Sequence, residues 1–162
     1  MAEIFIKTEN NKKDAFEIRT KVFMEEQGYE NEFDEIDNYC KYATVYYDKT
    51  PVGTGRVFPK TDDENVCIFG RIAVLKEYRK LHLGKIIIET LEKIAKESGY
   101  KKVILLSQES AIGFYKKCDF VLCDSDVVYD EGHPHYWMEK YLWQFSKYPL
   151  QFIFIWVIII KH

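Results

Sequence analysis

The chain has 162 residues, 47% of them hydrophobic, 16% aromatic and 30% charged. That is about one domain, with enough apolar material to bury a core and too much for a disordered chain. A formal net charge of −3 lacks the basic excess that general nucleic-acid binding needs, so no nucleic-acid partner is expected.

In chain order, residues 2–7 alternate enough to form a strand. Asn11, with Asp14 three residues on, is expected to cap a helix. Its apolar face is Ala15, Ile18, Val22 and Phe23, and Gly28 supplies a stop. Residues 42–48 and 51–58 read as two strands joined by a hairpin turn at Asp48-Lys49-Thr50-Pro51. Residues 65–75 make a further strand. From Gly84, apolar residues at Ile87, Ile88, Leu91, Ile94 and Ala95 keep helical spacing up to Gly99. Residues 102–107 form a buried strand, 110–117 a short helix, and 119–129 and 135–142 further strands. This alternation predicts an α/β (α+β) fold with a mixed central sheet flanked by helices.

No repeat or Pro/Gly/Ser-rich linker interrupts the first 140 residues, so 1–142 is expected to be one domain. Residues 143–162 end in an apolar run, Phe152 to Ile160, too short to span a bilayer, which takes about 20 residues. This extension is expected to pack on the core or pair across a homodimer. The opening MAEIFIKTEN has no long apolar stretch, so no signal peptide is read there and a cytoplasmic location is expected. Cys40, Cys67, Cys118 and Cys123 form no C-x-x-C pair and no zinc spacing, and read as free thiols. His133 and His135 would share one face of a strand but lack a third ligand, so no metal is expected.

The segment 70–85, GRIAVLKEYRKLHLGK, carries the chemistry. A short apolar strand (Ile72, Ala73, Val74, Leu75) enters a basic turn, and a helix follows at once. Backbone N–H groups and the positive helix end then converge on one point, a place for an anion such as phosphate.

Arg79-Lys80-Leu81-His82-Leu83-Gly84 resembles the acyl-CoA-binding motif of the GNAT N-acetyltransferases, Arg/Gln-x-x-Gly-x-Gly/Ala, with His82 where the first glycine stands. Further stretches resemble the ElaA-like branch: Ile18-Arg19-x-x-Val22-Phe23-x-x-Glu26-Gln27-Gly28, Glu32-Phe33-Asp34-x-x-Asp37 and Gly53-Thr54-x-Arg56. Gln108-x-x-Ala111-x-x-Phe114-Tyr115 and Gly132-His133-Pro134-His135 follow in the family's order, so the likeness spans roughly residues 3–140.

The resemblance implies the GNAT fold and direct transfer of acetyl from acetyl-CoA to a primary amine of a small molecule, without metal or covalent nucleophile. Backbone groups of Ile72, Ala73 and Val74 would pair with the pantetheine arm. The turn Arg79, Lys80, Leu81, His82, Leu83, Gly84 and Lys85 would hold the pyrophosphate, with Gln108 and Phe114 beside the cofactor. Tyr115 would protonate the departing thiolate, Glu26 would serve as amine ligand or base, and Gln27 and Asp37 would orient it. His135 is the alternative base. Asp119 stands where relatives carry a glycine. The acidic stretch 25–37 should draw a cationic amine, unless it is a solvated loop. Two rival readings are a CoA-binding homologue with little turnover and a homodimerising interaction protein.

Overall fold

The computed structural model describes residues 3–8 and 12–142. The extension 143–162, with the homodimer expected through it, and the cap at Asn11 lie outside the described residues. Among the described residues eight strands form one sheet in the order β1-β2-β3-β4-β5-β8-β6, with β7 paired to β8. The strands are β1 (Ile4–Lys7), β2 (Lys41–Tyr47), β3 (Thr50–Lys60), β4 (Asp63–Val74), β5 (Lys102–Gln108), β6 (Val121–Leu122), β7 (Val128–Asp130) and β8 (His133–Tyr141). Every pairing is antiparallel except β4 with β5. That parallel pair requires a crossover, which α2 (Leu83–Glu97) supplies. The mixed sheet is the expected one.

Helix α2 buries Leu83, Ile87, Ile88, Leu91 and Ala95 against Val45, Val103, Leu105 and Met138 of the sheet. Its approach to β3 is close: a Cβ on Gly55 would stand 2.8 Å from Ile87 Cγ2 and 3.0 Å from Leu91 Cδ1. On the opposite face lies α1 (Lys12–Arg19), which runs on as π-type turns over Thr20–Glu26 and stops at Gly28, φ +79°. Ala15, Ile18 and Val22 are buried there as expected. The widened turns were not foreseen, because periodicity alone does not separate 3.6 from 4.4 residues per turn over seven residues.

The hairpin turns on Asp48 and Lys49 alone, since Tyr47 pairs with Thr50. Both central residues have positive φ, 46° and 68°, the handedness that matches strand twist. The strand read over 119–129 is instead two short pieces, β6 and β7, with the exposed Asp124, Ser125, Asp126 and Val127 between them. Short α3 (Ile112–Lys117) ends at Asp119, φ +66°, where the N–H of Phe120 bonds the Tyr115 carbonyl at 3.1 Å. Among the described residues no helix is long and apolar enough to cross a membrane. The four cysteines are free, and burial pushes the Cys67 thiol up to about 12.

Candidate active site

Strands β4 and β5 pair only from Val66↔Lys102 to Phe69↔Leu105. Beyond that point they part. The cause is on β4: Arg71 sits at φ +53°, and the register against β3 slips between Arg56↔Gly70 and Thr54↔Ala73. Such a bulge bends its strand and redirects a side chain. Gly70 to Val74 are thereby left without a partner on β5, and a cavity of about 670 Å³ opens there. The cavity reaches from Tyr115 on one side of the sheet to His135, Trp137 and Arg71 on the other.

Ile72, Ala73 and Val74 line this opening. The basic turn lies just past it. Residues Lys76–Leu81 form a 3₁₀ turn, and His82 then adopts a left-handed conformation, φ 57° and ψ 19°, as α2 begins. Histidine therefore holds the conformation for which the family motif carries glycine. Among the described residues no side chain caps the first turn of α2, so backbone N–H groups there keep donor capacity for an anion. Lys80 and Lys85 are exposed beside it, whereas the Leu83 side chain belongs to the core. Gly84 is required by Phe114: a Cβ would lie 3.0 Å from Phe114 Cζ.

Two acceptable left-handed sites held by non-glycine residues give a stability prediction. His82→Gly and Asp119→Gly should each raise stability by about 0.5–1 kcal/mol, by relief of Cβ strain partly offset by the greater freedom of the unfolded chain. Urea denaturation checks it, and a loss in both variants would contradict the strain.

Arg79 and Glu26 meet face to face, at 2.8 Å (Nη1–Oε1) and 2.6 Å (Nη2–Oε2), while Arg79 Nε donates to the Val74 carbonyl at 3.0 Å. The hydrogen bonds from Arg79 lower the Glu26 pKa. A carboxylate so held is a weaker proton acceptor than a free glutamate, and both its oxygens face Arg79. Both residues instead tie the end of the π-type turns to the basic turn.

Asp37 has a different place from the one expected. It is 3% exposed, and it does not reach the cavity. Arg19 bonds it at 2.6 and 3.1 Å, Arg56 at 2.6 Å and the Tyr42 hydroxyl at 2.6 Å. Arg19 also bonds Glu32 at 2.6 Å and lies 5.1 and 5.0 Å over the rings of Phe16 and Phe33. Arg56 holds Asp34 with two bonds of 2.7 Å. The acidic stretch is thus divided: Glu25, Glu30 and Glu35 are exposed, and the other four carboxylates are held by arginines. Glu26, Glu32, Asp34 and Asp37 are each paired with arginine.

Gln27, Tyr29 and Gln108 form a polar wall. The Gln108 side-chain amide donates to Gln27 Oε1 at 2.8 Å and to the Tyr29 hydroxyl at 3.2 Å. His135 is buried, and its Nδ1 lies 2.9 Å from the His133 carbonyl. A carbonyl can only accept, so Nδ1 carries the proton and Nε2 keeps its lone pair. Tyr115 packs edge-on to Phe114 and Phe120 and lines the cavity. Burial, with a smaller contribution from Cys118, raises its pKa, so the phenol stays protonated at neutral pH.

Tyr29, Arg71 and Trp137 also line the cavity but escaped the sequence reading. For Arg71 a signal existed: a Gly-Arg pair inside the apolar run from Ile68 to Val74 marks a bulge. Tyr29 and Trp137 carry no comparable mark.

A mixed sheet splayed at its parallel pair, with an uncapped helix beyond the opening, is the layout of acyl-CoA N-acyltransferases. A family model described as the Acetyltransferase (GNAT) family matches residues 8–120, and the chain belongs to this family. Two proteins of Bacillus subtilis (strain 168) are similar over most of its length. YyaT is 39% identical over 140 residues, covering 83% of this chain and 92% of its own. YjcF, named an uncharacterized N-acetyltransferase, is 37% identical over 142 residues, covering 86% and 99%. The crystal structure of Escherichia coli ElaA shares the fold at TM-score 0.72 and 22% identity, covering 86% of this chain and 99% of that one.

Proposed function

We propose that this protein transfers the acetyl group of acetyl-CoA to the primary amine of a small molecule, directly, with both bound at once. The opening between β4 and β5, with Tyr115 and His135 both on its wall, is the observation that best supports this reading. Acetyl-CoA, when bound, supplies an activated acyl thioester. The edge of Ile72, Ala73 and Val74 that has no partner on β5 would bond its pantetheine arm and acyl oxygen. Around the pyrophosphate would stand the first N–H groups of α2 and the side chains of Lys80 and Lys85. Arg79, held by Glu26, shapes that turn. Leu81, His82, Leu83 and Gly84 contribute backbone to it, with Phe114 and Gln108 alongside.

An alkyl ammonium has a pKa of about 10.4, so the acceptor must lose a proton before it attacks. His135 Nε2 takes that proton in this reading, because Glu26 is held ionised by Arg79. Gln27 positions Gln108, which in turn bonds Tyr29, around the acceptor. Tyr115 gives its phenolic proton to the departing sulfur. A cytoplasmic location, where thiols stay reduced, belongs to the same reading.

Calorimetric titration with acetyl-CoA should show micromolar binding, and primary amines should then release CoA. His135→Gln should lower kcat/KM about 10²-fold. Tight binding with no CoA release from any amine would instead mark a CoA-binding homologue without turnover.

A further inference from the structure

We infer that the acceptor carries a carboxylate beside its amine, and that Arg71 reads it; this rests on the acetyl-transfer reading above. The bulge on β4 turns Arg71 into the cavity wall. Its guanidinium is fastened along one edge only. Nε lies 3.0 Å from Glu32 Oε2 and 3.3 Å from the Glu32 carbonyl, and Nη2 is 3.9 Å from Asp34 Oδ2. Glu32 is itself buried and locked by Arg19. Nη1 has no hydrogen bond among the described residues, and the side chain keeps 28% exposure. An anchored guanidinium with donors to spare is a receptor for a planar carboxylate.

The charge on the walls points the same way. Glu32 and Asp34, the cavity's other carboxylates near Arg71, already face arginines. Asp130, on β7, lines the cavity and makes no ion pair among the described residues. Register sets Asp130 opposite His133, two residues from His135 on the same face of β8, while Val128 lies opposite His135. A negative group thus stands on β7 at the edge of β8 and a cationic fork on β4, with apolar Leu106 and Trp137 paired between β5 and β8. A polycation would meet Arg71 unfavourably. An amino carboxylic acid with an apolar body meets all three surfaces.

The test pairs acceptors that differ only in the carboxylate: phenylalanine with phenethylamine, and leucine with 3-methylbutylamine, each with acetyl-CoA and CoA release as readout. The wild type should prefer the carboxylated member by about tenfold or more in kcat/KM. Arg71→Gln should abolish that preference and leave KM for acetyl-CoA within about twofold. Arg71→Lys, which keeps the charge and loses the fork, should retain part of it, and decides the matter if the glutamine variant does not fold. Equal or better turnover of the plain amines, or a preference that survives Arg71→Gln, overturns the inference while acetyl transfer stands. No CoA release from any of the four overturns the inference, and absent acetyl-CoA binding would then overturn acetyl transfer as well.

Discussion

Tyr115→Phe is expected to lower the acetyl-transfer rate by about 10²- to 10⁴-fold while acetyl-CoA affinity stays within about twofold. The ring is fixed by edge contacts of 5.1 Å to Phe114 and 5.9 Å to Phe120, centroid to centroid. Phenylalanine repeats that packing and removes only the hydroxyl. Burial raises the phenol's pKa, which keeps it a proton donor across the neutral range. Comparison of single-turnover rates with calorimetric affinities separates the two effects. Parallel losses in rate and affinity would mean that Tyr115 shapes the acyl-CoA groove and donates nothing.

Asp37→Ala should destabilise the fold by about 3–5 kcal/mol, the usual effect of removing one partner from a buried ion cluster. Arg19 and Arg56 would each lose a 2.6 Å partner at a largely buried site. Among the described residues the Arg56 Nε already lacks a partner, so the cluster shows no spare acceptor to redistribute. Burial alone would raise the Asp37 pKa. Hydrogen bonds from Arg19, Tyr42 and the Asp34 backbone outweigh it, and hold the carboxyl well below the usual carboxylate range. The sign follows from that depression. The ionised group contributes stability above about pH 4, the unfolded value, and the contribution drains away as the pH falls towards the folded value. Urea midpoints from pH 7 down to pH 3 should therefore fall more steeply for the wild type than for Asp37→Ala. A loss under about 1 kcal/mol at pH 7 would show that the cluster is not holding α1 to the sheet.

Most of the scaffold was legible because its elements advertise themselves locally. The spacing of Ile87, Ile88, Leu91 and Ala95 defines α2, and all four are buried as that spacing requires. The short 119–129 region was misread because a run of β-formers does not say whether a partner strand lies alongside. Only Val121–Leu122 and Val128–Asp130 find one, both on β8.

The site divides along the same line. Sequence by itself determined the family, the basic turn before α2 and the presence of Tyr115, Gln108 and His135, since these lie in short contiguous motifs. The fate of the charges was decided by tertiary structure alone. Glu26 and Arg79 are 53 residues apart, Arg19 and Asp37 are 18, and Arg71 and Glu32 are 39. Whether a carboxylate is a base, a ligand or half of a buried ion pair depends on what faces it across the fold. Here arginines from α1, β3, β4 and the basic turn meet the acidic stretch, while the bulge at Arg71 leaves one guanidinium edge open to the cavity.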